Sequence, residues 1–253
     1  MNLSNAQQAL ILEAMSLAGQ VNTPASLDRL LDGPIKQLLN HEIVVCGIGV
    51  SLEKGCYGHK FHNRGFPLKY FDDLENPDGT VNSPLMKEWR GKRKPVFFQG
   101  GRDDAMYPAD WVAIFKRHDL RNTIATAILD RRDVISNFFI FARLKNEVGP
   151  EQAHILDLLT PNLCFALVRA LEAVECEGIF AGAVHAVFSR KQREVLHWIY
   201  QGKTNWEIAK ILDMNAETVK YHIDQTMQKL GVKTRAQAVG KALEIGIISS
   251  HKL

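Results

Sequence analysis

The chain has few cysteines, four in 253 residues (Cys46, Cys56, Cys164 and Cys176), and no two of them form a Cys-x-x-Cys pair. Without that spacing the common zinc and dithiol motifs are excluded. The thiols read as reduced and structural, with Cys46 in an apolar run and Cys56 or Cys176 the candidates for a redox-sensing role. Long apolar runs are missing too. None approaches the roughly 18 residues that cross a bilayer, and the first residues lack the basic start and small-residue cleavage site of a secretory signal. A cytoplasmic protein with no membrane partner is therefore expected. The signatures G-x-G-x-x-G, G-x-x-x-x-G-K-[ST], G-x-S-x-G and H-E-x-x-H are all absent, and Gly100-Gly101-Arg102-Asp103-Asp104 offers glycines without a strand-to-helix phosphate cradle. His59 and His62 lie three apart on a candidate strand and so point to opposite faces, which argues against a shared metal. The acidic residues of a phosphorylated receiver domain have no counterpart. No enzyme, metal or cofactor is expected.

What is present is an ordinary soluble composition, 46% apolar and 23% charged, in a chain long enough for two domains. Its charge is unevenly placed. From Phe188 onward there are eleven Lys and Arg against six Asp and Glu, a net of +5. The whole chain holds 31 against 28, so 20 against 22 precede Phe188, a net of −2. The positive excess sits in the last quarter, where a nucleic-acid partner would be met.

That quarter is also rich in helix start and stop signals. Ser189 with Gln192, Thr204 with Glu207, and Thr234 with Gln237 have capping-box spacing, and Asn215 is a good N-cap. Gly202, Gly231 and Gly246 supply left-handed ends. The helices predicted are Arg190 to Gln201, Asn205 to Leu212, Ala216 to Leu230 and Arg235 to Ile245, and the short link between the second and third makes a helix-turn-helix. On the third helix Val219, Ile223, Met227 and Leu230 recur at helical spacing and face the core, leaving Glu217, Lys220, Tyr221, Asp224, Gln225 and Gln228 outward. Such a helix fits the major groove, where Lys donates to guanine and Gln pairs with adenine. Lys203 and Asn205 before it, and Lys229 and Lys233 at its end, are expected to meet phosphates.

The run from Ser189 to Ile248 resembles the C-terminal DNA-binding domain of LuxR-type and FixJ-type bacterial transcriptional regulators. The resemblance is carried by Glu194 to Leu196, Gly202-Lys203-Thr204-Asn205, Glu207-Ile208-Ala209, Thr218-Val219-Lys220, His222, Lys229-Leu230-Gly231 and Ala238-Val239. It implies DNA contacts at Lys203, Thr218 and Lys220 and core roles for Leu196, Ile208, Val219 and Leu230. Two positions depart from the family pattern: Trp206, a bulky ring beside the backbone contacts, and Asp224, where a basic or polar residue is usual. Asp224 either accepts from a cytosine amine or pairs with Lys220 one turn back, the ion pair being preferred.

The preceding residues read as one mixed domain. Helices are expected from Ser4 to Ala18, from Ser26 to Leu39 with a kink at Gly33-Pro34, near Ser83 to Arg90, near Pro108 to Arg117, and from Gly149-Pro150 to about Glu175. Strands are expected at Glu42 to Leu52, Cys56 to Phe61, Pro95 to Gln99, Asn122 to Leu129 and Val134 to Arg143, the last two joined by a link so short that they must pair antiparallel. The stretches Phe66 to Phe98 and Asn122 to Arg143 are similar to the autoinducer-binding domain of quorum-sensing LuxR-type regulators. In that family a carboxylate beside a proline holds the ligand's acyl amide, whereas here Pro84 follows Ser83 and Phe98 replaces a tryptophan. A pocket is expected between the sheet and the Ser83 and Pro108 helices, lined by Tyr70, Trp89, Phe98, Trp111 and Phe139.

The fold expected is α+β: an N-terminal α/β/α sandwich with an antiparallel five-stranded sheet (residues 1–177), a linker (178–187), and a C-terminal all-α four-helix helix-turn-helix domain (188–253). The function expected is a sequence-specific DNA-binding transcriptional regulator whose first domain senses a small molecule. The alternative is a ligand-independent regulator whose first domain serves dimerisation or protein docking. Leu156, Leu159, Leu163, Leu167, Ala170 and Val174, at near-heptad spacing, offer a self-association seam or pack on their own sheet. Ala236, Ala238, Val239, Ala242, Leu243 and Ile245 cover most of the last helix, which points to a homodimer. Double-stranded DNA, a second copy of the chain, a small molecule of unknown identity and RNA polymerase complete the expected partners.

Overall fold

Ser4 starts the first helix, α1 (Asn5–Gln20), with a closed capping box: its hydroxyl accepts the Gln7 N–H at 3.2 Å and the Gln7 side chain accepts the Ser4 N–H at 2.9 Å. Helix α2 (Pro24–Leu30) begins earlier than Ser26, because Thr23 caps it and Pro24 occupies its first turn, where a missing N–H costs nothing. The predicted kink is there. A π-helical turn, Leu31–Ile35, carries Gly33 at φ −88° and ψ −115° before Pro34, and α3 (Lys36–Leu39) follows. The computed structural model describes residues 3–52, 55–76, 80–130, 135–172, 188–244 and 247–248.

Five antiparallel strands form one sheet in the order β2-β1-β5-β4-β3: β1 (Ile43–Leu52), β2 (Gly55–Arg64), β3 (Val96–Gln99), β4 (Asn122–Leu129) and β5 (Ile135–Ala142). The period of two divides β1: Val44, Cys46, Ile48 and Val50 face one layer of helices, Ile43 and Val45 the other. Gly47 is required where β1 meets β2, since a Cβ there would lie 2.5 Å from the Lys60 carbonyl oxygen.

The first layer holds α1, α2 and α7 (Pro150–Glu172). Leu156, Leu159, Leu163, Leu167 and Ala170 are each at most 1% exposed, so the near-heptad row fills the domain's own core rather than a seam between copies. Val174 lies outside the described residues. Pro150–Leu171 is long and apolar enough, by length and composition, to cross a membrane, which the sequence reading did not expect. More than half of its apolar window is buried within the domain, as in the core helix of a layered fold.

The second layer holds α4 (Lys69–Asp72), α5 (Pro84–Lys92, capped by Ser83) and α6 (Ala109–Arg117). Phe98 from β3 packs edge-on against Trp111 and Phe115, ring centroids 5.0 and 4.7 Å away, and the Trp111 indole N–H donates to the Tyr70 hydroxyl at 3.0 Å. With helices on both faces of the sheet, this is the α/β/α sandwich expected.

After residue 187 the described chain is helical: α8 (Arg190–Tyr200), α9 (Asn205–Ile211), α10 (Ala216–Leu230) and α11 (Arg235–Glu244). All four expected caps form. Gly202 and Gly231 take φ of 77° and 70° as helix stops. Gly246 and the predicted hinge, residues 178–187, lie outside the described residues. Val195, Ile199, Ile208, Ala209, Val219 and Ile223 form the small core.

Candidate functional site

Helix α10 is divided by its own period. Val219, Ile223, Thr226 and Leu230 are buried, while Glu217, Lys220, Tyr221, Asp224 and Gln228 are exposed, Tyr221 by 59%. Helices α9 and α10, the two helices of the motif, are set by a tight turn in which Asp213 adopts φ 52° and the Met214 N–H donates to the Ala209 carbonyl at 2.9 Å. Asn215 then caps α10 twice over, accepting from the Thr218 N–H at 2.7 Å and from the Thr218 hydroxyl at 2.8 Å. Thr218 is thereby half-buried and committed to the cap, and Gln225 is half-buried as well. The preferred Asp224–Lys220 ion pair does not form: neither side chain has an ionic partner among the described residues.

The start of α9 presents Lys203, its Nζ 3.6 Å from Glu207 Oε1, and Asn205, whose Oδ1 accepts from Arg235 at 2.9 Å. Arg235, on α11, also donates to the Lys203 carbonyl. Hydrogen bonds from the Thr204 backbone and hydroxyl hold the Glu207 carboxyl below its usual range, so it remains an anion beside Lys203. Trp206 is 62% exposed, with Lys210 Nζ 3.6 Å above its ring. Lys229 is placed differently from the expectation. On the flank of the buried face, its ammonium donates to Gln192 Oε1 at 3.2 Å and lies 5.7 Å from the Phe188 ring, and burial pulls its pKa down.

The other candidate site lies on the α5 face of the sheet, a cavity of about 130 Å³. Tyr70, Trp89 and Phe139 are among its walls, but Phe98 and Trp111 are not, being taken up in the packing around Phe115. Polar wall residues were missed from the sequence, among them Arg90, Thr123, Thr126 and Ser136. Arg90 was legible: Leu85 with Trp89 and Met86 with Arg90, each four apart, put it on the inward stripe of α5. Its Nη2 donates to Ser51 Oγ and Cys56 Sγ, both at 3.2 Å. The Cys56 thiol is thus a hydrogen-bond acceptor. Burial pushes the Cys46 thiol up and the Cys164 thiol up to about 12, which suits inert core residues, and Cys176 lies outside the described residues.

Residues 186–242 match the family described as "Bacterial regulatory proteins, luxR family". Curated relatives include the transcriptional activator protein EsaR of Pantoea stewartii subsp. stewartii, 31% identical over 133 residues, 52% of this chain and 51% of that one. Another is the transcriptional activator protein ExpR of Pectobacterium parmentieri, 42% identical over 62 residues, 24% of this chain and 25% of its own. The chain therefore spans about half the length, or less, of these relatives. Among solved structures, Escherichia coli SdiA is 17% identical, with 96% of this chain and 98% of that chain covered at a TM-score of 0.47. The match to the luxR family model takes in helices α8 to α10 and most of α11, the part of the chain that forms the helix-turn-helix.

Proposed function

We propose that the protein is a sequence-specific DNA-binding transcriptional regulator whose N-terminal domain senses a small molecule. The observation that carries this reading is the outer face of α10: Lys220, Tyr221 and Asp224 stand exposed above buried Val219 and Ile223, on the second helix of a capped helix-turn-helix of the matched family. Lys220, Tyr221, Asp224, Gln225 and Glu217 are the base-reading candidates. Lys203 meets phosphate, and the free amide of Asn205 does the same while its oxygen stays on Arg235. Thr218 contributes by fixing the first turn of the helix, and Lys229 drops out of the contact set. The protein acts as a homodimer through α11, whose Ala236 is exposed and whose Val239 and Leu243 are half-buried. RNA polymerase is the partner through which it acts on transcription. The cavity favours a sensor over a docking module.

Selection from a random duplex library tests the DNA claim. Enrichment of a two-fold symmetric site, with half-sites about 34 Å apart, is expected. No enrichment over the starting pool refutes it. For sensing, native mass spectrometry of the full chain should find a retained small molecule that leaves on denaturation, and its absence from every preparation removes that half of the reading.

A further inference from the structure

The cavity's walls are mostly apolar; of their polar side chains, the Ser83 hydroxyl accepts the Met86 N–H and the Thr126 hydroxyl pairs with that of Thr160, whereas Arg90, Trp89 and Thr123 keep hydrogen-bonding capacity to spare. Arg90 is the one charged residue among them and stands half-buried. A guanidinium has five N–H donors; two reach Ser51 and Cys56, which leaves three, and no carboxylate pairs with it among the described residues. The Trp89 indole N–H and the Thr123 hydroxyl are both buried, at 8% and 2% exposure, and neither has a hydrogen-bond partner among the described residues. The Arg90 guanidinium and the Trp89 indole thus bring N–H donors to this wall that lack a protein acceptor among the described residues, and no Asp or Glu lines the cavity to take them.

Resting on the sensing role proposed above, we infer that the cavity takes a small monocarboxylic acid, its carboxylate on Arg90 and its apolar body among Tyr70, Phe138 and Phe139. A planar guanidinium is built for a carboxylate, which can accept two parallel N–H bonds, and low-dielectric walls strengthen that pairing. An anion entering apolar surroundings without such a partner would be excluded by its desolvation. The volume sets the body. About 130 Å³ is close to a protein cavity that holds benzene, so one aromatic ring or a short alkyl chain fits. The Trp89 N–H and Thr123 hydroxyl add neutral donors for a second polar atom of the ligand.

The test is binding of 3-phenylpropanoate and of its neutral isostere 3-phenylpropan-1-ol to the full chain near neutral pH, by isothermal titration. The acid should bind at least tenfold more tightly, and Arg90→Gln should bring it down to the alcohol's affinity while leaving the alcohol unchanged. Should Arg90→Gln fail to fold, Arg90→Lys keeps the charge without the fork: the acid should weaken severalfold and still exceed the alcohol. Equal binding of the two probes, an acid preference that survives Arg90→Gln, or no binding of either overturns the ligand class. The sensing role stands or falls separately, on the retained molecule in the mass spectrum.

Discussion

Lys220 and Lys203 are assigned different tasks, and replacing each by alanine separates them. Lys220 is exposed and has no ionic partner among the described residues, so Lys220→Ala should change stability by no more than about 0.5 kcal/mol. Its loss falls on base reading: about 1 to 3 kcal/mol, or roughly 5- to 150-fold, on the selected operator and little on a scrambled duplex. Lys203 already sits 3.6 Å from Glu207, an exposed pair of small worth, and its task is one phosphate. One contact changes the slope of log affinity against log salt by about 0.9, so over a fourfold rise from 50 to 200 mM the penalty of Lys203→Ala shrinks about 3.5-fold. Operator and scrambled duplex should lose alike. Fluorescence anisotropy on both duplexes at three salt concentrations, with urea unfolding as a control, reads all of this. Identical losses and identical salt slopes for the two variants would refute the division of labour, and unchanged binding in both would refute the face.

Further tests address the scaffold. Asn215→Ala should lower stability by about 1 kcal/mol in urea, because it removes the acceptor for the Thr218 N–H and hydroxyl, whereas Asn215→Asp should stay near the parent; equal effects would deny the cap. Arg169→Met should cost about 1 to 3 kcal/mol, since Arg169 on α7 donates to Val21 O at 2.8 Å and to Ala18 O, closing the end of α1; an unchanged Tm contradicts that bond pair. His41, 3% exposed and packed edge-on against Phe141, has its pKa lowered from 6.5 to about 4 by burial and then by Lys36. The unfolded chain therefore takes up the proton first, and stability falls as pH drops through that window, by roughly 2 kcal/mol between pH 7 and pH 5. His41→Phe should flatten the dependence, and a slope unchanged from the parent would show that other groups set it.

The parts of the fold legible in the sequence were those decided locally. Capping boxes at Ser4, Ser189 and Thr204, and Gly231 as a helix stop, require only neighbours in the chain, and each formed. Strands β1 and β4 were readable from their β-branched runs, and the short links β1–β2 and β4–β5 leave little choice but antiparallel pairing. Depth was not readable. Phe98 and Trp111 share a face with Trp89, but whether an aromatic lines a cavity or fills the core depends on Phe115 opposite, which periodicity does not report. Likewise the row from Leu156 to Ala170 suited two partners equally until its burial was known. Lys229 read as a phosphate contact by residue type, and it was Gln192, 37 positions away, that decided where its ammonium went.

Arg235 gives the motif a mechanical property. One guanidinium leaves the fourth helix and fastens both the Lys203 carbonyl and the Asn205 side chain, so the corner proposed to meet the phosphates is guyed to the element proposed to hold the second subunit. In the proposed homodimer, subunit pairing and seating on the duplex would share a strut: a shift of the last helix is carried by the Arg235 guanidinium straight to the Lys203 backbone and the Asn205 side chain.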